Sequence, residues 1–316
     1  MNSSPAVTLV TGAGGFAGSH LLDRLASGTE LHGWLLPGTP RPLQGDVTWH
    51  EVDLTDRSAV DAAIRAIRPG RLFHLAGAPS VDTSWTNAVP HLSVNAMGTS
   101  HLLDAVAAHA PRCRVLVITS AQVYRSDDGP LGEGTPLVPA TPYGLTKLAQ
   151  DLLARSAADA GLDVVVARPF NHIGPRQTPG FAIPSFARQI ARIERGLDAP
   201  RIHVGNLDAR RDFTDVRDVA DAYVRLMDRG RPGHAYNVCA GTAHRIGDLL
   251  DRLVSLSSTR ITVELDPARL RPSDVPVIVG DNSQLRDTTG WSPAFDIETT
   301  LSDTLKWWRQ ETARTH

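Results

Sequence analysis

The sequence predicts an α/β fold: a doubly wound parallel sheet with a smaller α/β lobe attached. Three observations carry this. Short apolar runs alternate with helical patterns through the first half of the 316 residues. A glycine-rich turn, Gly12-Ala13-Gly14-Gly15-Phe16-Ala17-Gly18, links the first run to the first helical stretch. After Arg168-Pro169-Phe170 the texture changes, and Pro175, Pro179, Gly180 and Pro184 read as loops around a cleft.

In chain order, Ala6–Val10 reads as a strand, Gly18–Ala26 as a helix, Leu31–Leu36 as a strand, Ser58–Ile67 as a helix and Leu72–Ala76 as a strand. A long helix covers about Asn95–Ala108. Val115–Thr119 is an apolar run bounded by breakers, as a strand buried on both faces should be. Pro142–Ala160 is helical and Val164–Ala167 is a strand. Beyond the cleft loops come a helix at Pro184–Arg195, a strand at Ala235–Val238 that returns to the first sheet, and an amphipathic helix at Thr299–Gln310. In that last helix Leu301, Leu305 and Trp308 form one packing stripe. The expected division is a dinucleotide-binding unit over 1–170, of Rossmann type, and a partly interleaved substrate lobe over 171–316.

Composition narrows the function. The chain is 41% hydrophobic and 21% charged with a net charge of −2, and its basic residues are scattered. This fits a globular protein and offers no stripe for nucleic acid and no patch for a membrane surface. No apolar run approaches the roughly 20 residues needed to span a bilayer, and the N-terminus lacks the pattern of a signal peptide. Cys113 and Cys239, the two cysteines, lie in apolar strand-like runs and read as buried free thiols, which suits the cytoplasm. The twelve histidines are dispersed without metal-ligand spacing, so no metal is expected.

Gly12, Gly15 and Gly18 stand where a dinucleotide-binding turn needs them: for the tight turn, for close approach to a pyrophosphate, and for helix–strand packing. The ribose is normally read by an acid at the end of the next strand. Here that strand ends Trp34-Leu35-Leu36-Pro37-Gly38, and Asp23 and Glu30 come too early. Arg41 lies just beyond and suits a 2′-phosphate, so NADP(H) is the preferred cofactor and NAD(H) a tolerated one. Asp53-Leu54 reads either as an adenine contact or as a turn and helix cap.

Tyr143 and Lys147 are four residues apart, one helical turn, and share a helix face. A free tyrosine titrates at about 10. A nearby ammonium lowers that value and makes the phenol a usable acid or base. Alone, this spacing equally describes a solvated helix pair. Ser120, at the end of an apolar run, is the candidate hydrogen-bond donor beside it.

The set of Gly12-x-x-Gly15-x-x-Gly18, His74-Leu75-Ala76-Gly77, Asn95-Ala96-Met97-Gly98-Thr99, Ser120-Ala121-Gln122-Val123-Tyr124, Tyr143-x-x-x-Lys147 and Arg168-Pro169-Phe170-Asn171 resembles the extended short-chain dehydrogenase/reductase family over nearly the whole chain. The resemblance implies that Ser120 polarises the substrate oxygen, Tyr143 is the proton donor, and Lys147 binds the nicotinamide ribose and tunes Tyr143. It places Phe16, Leu75, Ala76, Gly77, Asn95 and Arg168 along the cofactor. It also suggests a homodimer formed by the helices over 95–108 and 142–160.

The second half is similar, more narrowly, to the GDP-mannose 4,6-dehydratases and the GDP-4-dehydro-6-deoxy-D-mannose reductases. The likeness lies in Asn171-His172-Ile173-Gly174-Pro175-Arg176-Gln177, in Phe186-Ala187-Arg188-Gln189-Ile190, in Arg210-Arg211-Asp212-Phe213-Thr214-Asp215-Val216 and in Tyr236-Asn237-Val238-Cys239-Ala240-Gly241. It implies that Asn171, Arg188, Arg211 and Arg271 contact a nucleotide diphosphate sugar, with Gln122 beside the substrate. Arginine's planar fork suits phosphate oxygens, although ordinary surface salt bridges are the alternative, most of all for Arg188. A dehydratase carries a glutamate two residues after the catalytic serine or threonine, to move the C5 proton. Here Ala121 and Gln122 occupy that stretch, and an amide exchanges no proton at useful pH. The expected activity is therefore NAD(P)H-dependent reduction of the 4-keto group of a 4-keto-6-deoxyhexose, with a GDP-sugar as substrate and GDP-D-rhamnose as product. Alternatives are a nucleotide-sugar 4-epimerase, a reductase of dTDP-, UDP- or CDP-sugars, and a non-catalytic sensor.

Overall fold

The computed structural model describes residues 7–25, 29–42, 45–79, 81–125, 129–269 and 275–315. Its first half is built from β1 (Thr8–Thr11), α1 (Phe16–Leu25), β2 (Leu31–Leu35), β3 (Val47–Glu51), α2 (Arg57–Ile67), β4 (Arg71–His74), α3 (Val81–Thr86), α4 (Ala88–Leu92), α5 (Gly98–His109), β5 (Arg114–Ile118), α6 (Pro142–Asp159) and β6 (Asp163–Pro169). There follow β7 (Asn171–Ile173), α7 (Ala182–Glu194), β8 (Arg201–Val204), β9 (Arg210–Asp215), α8 (Val216–Arg229), β10 (Ala235–Val238), β11 (Ala243–Arg245), α9 (Ile246–Ser255), β12 (Thr262–Leu265), β13 (Val277–Ile278), α10 (Ser283–Thr289) and α11 (Ile297–Thr315).

Seven strands form one parallel sheet in the order β10-β6-β5-β4-β1-β2-β3. The order reverses beside β1, which places a crevice at the carboxyl ends of β1 and β4. The central strands are apolar on both faces because both faces are covered. Val10, Phe73, Leu116 and Val165 pack against α1 and α8, while Leu9, Leu72, Val115 and Val164 pack against α2, α5 and α6. A separate core joins α7, α9 and α11 to β8, with Leu301, Leu305 and Trp308 on the stripe read from the sequence. A smaller sheet runs β11-β9-β13, with β7 also pairing β9, and a two-stranded one joins β12 to β8.

Three features depart from the sequence reading. β3, Val47-Thr48-Trp49-His50-Glu51, is an edge strand with no fully buried residue, so it lacks the apolar run that marks its neighbours. The helix expected over Asn95–Ala108 starts as a π-helical turn, Ser93–Met97, before α5 begins. α8 and α9 are additional helices, each with buried apolar residues at helical spacing. No described helix is long and apolar enough to cross a membrane. Both cysteines are buried and free, and burial pushes the Cys113 thiol up to about 12.

Candidate active site

The glycine-rich turn closes on itself. Gly12 sits at φ +67°, in the left-handed region, and a Cβ there would lie 2.7 Å from the Ala76 nitrogen. A Cβ on Gly18 would overlap the Gly12 carbonyl, so α1 can press onto the turn only without one. Gly15 is exposed, and α1 has no acidic residue in its first turn, which leaves that helix terminus receptive to an anion. Phe16 stacks on His172 with ring centroids 5.7 Å apart. The chain after β2 folds back over the turn: a Cβ on Gly14 would meet Leu35 Cδ2 at 2.6 Å and Pro42 Cγ at 3.4 Å.

Arg41, next to Pro42, does not stand alone. Its guanidinium lies 3.4 Å from the Glu51 carboxylate, and both side chains are exposed. Glu51 ends β3 in register with Leu35 at the end of β2. Arg41 is therefore paired with a carboxylate at the end of the neighbouring strand. Asp53 Oδ1 accepts from the Thr55 nitrogen and hydroxyl, each at 2.8 Å, so this carboxylate is used in a turn, with Asp56 capping α2. The Leu54 side chain is buried in the core.

Tyr143 and Lys147 both face inward from α6, at 9% and 5% exposure. Three contacts build this corner. The Thr141 hydroxyl caps the Gly144 nitrogen at 2.9 Å, and Ser84 Oγ accepts from the Tyr143 nitrogen at 3.1 Å. A Cβ on Gly144 would overlap the Gln122 carbonyl, so α6 sits directly against the Ser120–Gln122 turn. Ser120 Oγ accepts from the Gln122 nitrogen at 3.1 Å, and its hydroxyl favours the ionised form of the Tyr143 phenol.

The electrostatics differ from expectation. The Tyr143 phenol is not lowered; burial pushes it up to about 12, with the Ser120 hydrogen bond acting the other way. Lys147 does not offset this. Its ammonium donates to the Ile118 carbonyl at 3.1 Å and to Gln150 Oε1 at 2.7 Å, and burial lowers it to about 7. Desolvation, which leaves no mark in a sequence pattern, is the dominant influence on both groups.

Asn95 is fully buried and braces the crevice floor. Its side chain accepts from the Ala78 nitrogen at 2.8 Å and donates to Thr146 Oγ1 at 2.9 Å. Leu75 and Ala76 hang from β1 through Thr11: Leu75 nitrogen to Thr11 oxygen at 3.2 Å and Ala76 nitrogen to Thr11 Oγ1 at 3.1 Å. A Cβ on Gly77 would lie 2.8 Å from Asn95 Oδ1 and 3.4 Å from Lys147 Nζ, so the backbone runs close beside the ammonium. The turn, the anion-receptive helix end and this narrow floor fit a bound dinucleotide. Arg168 needs correcting as a side-chain contact to it. Its guanidinium is 2% exposed and committed to both oxygens of Asp151, at 2.8 and 2.9 Å, and to the Tyr124 hydroxyl at 2.9 Å.

Of the residues expected at the substrate, Asn171 lies on β7 and Arg211 on the adjoining β9. Asn171 donates to the Asp212 carbonyl at 3.3 Å, and Arg211 to its neighbour's carbonyl at 2.9 Å. Asp212 holds the loop after β10 by accepting from Ala240 and Gly241, and burial raises it to about 6. Gln122 is half-buried at the turn below Tyr143. Arg188 is not brought to this group. It is exposed on α7 and lines a groove of about 300 Å³ with Trp308, Glu311 and Thr312 of α11. Arg271 lies outside the described residues. Ser84, Thr146 and Gln150 join this corner without a motif to mark them. For the last two the available signal was a polar residue on the inward face of α6.

Residues 9–304 match the family described as GDP-mannose 4,6 dehydratase. The GDP-6-deoxy-D-mannose reductase of Pseudomonas aeruginosa is 37% identical over 303 residues, 95% of this chain and 96% of that protein. The solved structure of RMD from Pseudomonas aeruginosa complexed with NADPH is similar with a TM-score of 0.85 at 34% identity, over 97% of this chain and 99% of the other. The UDP-glucose 4-epimerase of Thermus thermophilus, solved with NAD, gives 0.85 at 27% identity over 96% and 99%. With the likeness running unbroken from β1 into α11, the chain belongs to the GDP-mannose 4,6-dehydratase family within the extended short-chain dehydrogenase/reductases.

Proposed function

We infer that the chain uses NAD(P)H to reduce the 4-keto group of a nucleotide-linked 4-keto-6-deoxyhexose, with GDP-4-dehydro-6-deoxy-D-mannose as substrate and GDP-D-rhamnose as product. One observation carries the choice of reduction over elimination. Ser120 acts on the buried Tyr143 phenol, while the residue two after Ser120, against the same helix, is Gln122. Hydride transfer keeps its proton donor, whereas elimination lacks a group to take the C5 proton. The likeness to the Pseudomonas aeruginosa reductase supports the same reading.

The nicotinamide, when bound, supplies the hydride. The remaining work falls to the chain. Ser120 Oγ, which accepts from the Gln122 nitrogen, keeps its own hydrogen to donate where charge accumulates on the C4 oxygen. Tyr143 holds its proton until that oxygen becomes alkoxide-like. Its O–H bond then breaks as the product hydroxyl forms. Burial keeps the phenol protonated throughout the neutral range, which is the state a donor must start in. Lys147 presents its ammonium beside Gly77 to the cofactor ribose, and Asn171 and Arg211 hold the nucleotide diphosphate. The cofactor is NADP(H) by preference, Arg41 turning from Glu51 to a 2′-phosphate. The apolar residues Val89, Leu92, Met97, Leu145 and Leu152, all exposed on α4 to α6, support a homodimer. The two free thiols suit the cytoplasm.

The test is a panel of 4-keto-6-deoxyhexoses linked to GDP, dTDP, UDP and CDP, with NADPH and the purified protein. Preferential turnover of the GDP-linked sugar is expected, and preference for another base would overturn the substrate assignment. The fold likeness to a UDP-glucose 4-epimerase favours 4-epimerisation as the second reading. Cofactor retained through purification, with turnover independent of added NADPH, would establish that reading instead.

A further inference from the structure

Beneath the serine, tyrosine and lysine runs a chain of buried polar side chains whose hydrogens have a single consistent direction. An ammonium only donates, so the amide of Gln150 turns its oxygen to Lys147 Nζ, at 2.7 Å. Its nitrogen then faces Thr99 and donates to Oγ1 at 2.9 Å. Thr99 gives its one hydroxyl hydrogen to the Asn95 carbonyl at 2.7 Å, so it accepts from Gln150 and also from His74 Nε2 at 2.9 Å. His74 is thereby the neutral ring protonated at Nε2, and its Nδ1 accepts from Thr11 Oγ1 at 2.8 Å. Thr11 Oγ1 in turn accepts from the Ala76 nitrogen at 3.1 Å. Thr11, His74, Thr99 and Gln150 all have zero exposure.

We propose that Gln150 is a positioning residue for Lys147: its amide oxygen fixes the ammonium beside Gly77, and its amide nitrogen ties that placement to the strand ends carrying the glycine-rich turn. The proposal rests on the reading of Lys147 as the contact to the cofactor ribose. A core position wanting only bulk is better filled by leucine or methionine, because burying an amide costs free energy unless its partners are met. Here both ends are met, and one partner is the ammonium. Around Lys147, α6 contributes Tyr143 and Asp151, the latter taken up by Arg168 and Arg155. β4 contributes neutral His74, β5 the Ile118 carbonyl, and the π-helical turn Asn95. Burial and the Lys147 charge hold His74 down to about 3, in agreement with the neutral ring.

The test is the NADPH dissociation constant, measured by fluorescence titration from acid to alkaline pH, with unfolding temperature as a control. Gln150→Met keeps the length and removes the acceptor; Gln150→Glu keeps an acceptor and adds a charge. The Met variant is expected to bind NADPH about tenfold more weakly, the scale of one hydrogen bond to a charged group, and to lose affinity at a lower pH than wild type. In the Glu variant the same loss is expected at higher pH, by about one unit or more, with affinity within a few-fold of wild type. A residue that only fills the core would change unfolding temperature and leave both readouts alone. Wild-type affinity and wild-type pH dependence in a folded Gln150→Met protein would overturn the proposal. If that variant does not fold, an unshifted pH dependence in Gln150→Glu overturns it. Failure of the 4-keto sugars to react would count against the proposed function while leaving this titration decisive for Gln150.

Discussion

Replacing Tyr143 by phenylalanine removes one oxygen and one proton from a side chain that is otherwise packing, so stability and turnover should separate. Turnover of the 4-keto sugar is expected to fall about a thousandfold, within the range for losing a positioned acid, with the unfolding temperature nearly unchanged. Lys147 gives a second prediction, from the sign of its shift. Burial lowers its pKa to about 7, so its charge is present below that value and is lost as the pH rises through it. Tyr143, pushed up to about 12, keeps its proton across the same range. Turnover is therefore expected to decline on the alkaline side of neutrality, and Lys147→Met should flatten that limb; an unchanged limb in the variant would assign it elsewhere. At this scale the four-residue spacing put Tyr143 and Lys147 on one helix face, and both are buried on it. It did not show the direction of the Tyr143 shift, because desolvation depends on everything packed around the group.

At the scale of elements, α6 brings Tyr143, Lys147 and Gln150 to one side only because it touches the Ser120–Gln122 turn without a side chain at Gly144. Gly144→Ala puts a methyl onto a backbone carbonyl, which has no rotamer to escape into. It should lower kcat with little change in NADPH affinity, a split that steady-state kinetics and fluorescence titration would show. The ion pair between Arg168 of β6 and Asp151 holds the middle of this helix. With Asp151 fully buried, Asp151→Ala strands the guanidinium and is expected to cost about 3–5 kcal/mol in denaturant unfolding. Continuous apolar runs such as Val115-Leu116-Val117-Ile118, needed by strands buried on both faces, made the central sheet legible from sequence. β7 and β9 were not, since short strands carrying Asn171, Arg210 and Arg211 resemble loops. Arg188 was misplaced for a related reason: motif order says that α7 lies near the cleft, not which of its faces looks into it.

For the whole molecule, two surfaces decide behaviour. Leu145 and Leu152 are seven residues apart, exposed on one stripe of α6, so the proposed dimer should be a monomer by light scattering in Leu152→Arg. At the crevice edge, Arg41→Ala should cut the NADPH preference by about tenfold, the worth of one charged hydrogen bond, and Glu51→Gln should leave NADPH use intact; steady-state comparison of NADPH with NADH checks both. The most direct test mixes protein, NADPH and GDP-4-dehydro-6-deoxy-D-mannose and follows NADPH absorbance together with the sugar nucleotide formed. One NADPH is expected to be consumed for each GDP-6-deoxyhexose produced, slowed about a thousandfold by Tyr143→Phe. A Tyr143→Phe protein that turns over at the wild-type rate, or a wild-type protein that makes the 4-keto sugar from GDP-mannose unaided, would contradict it.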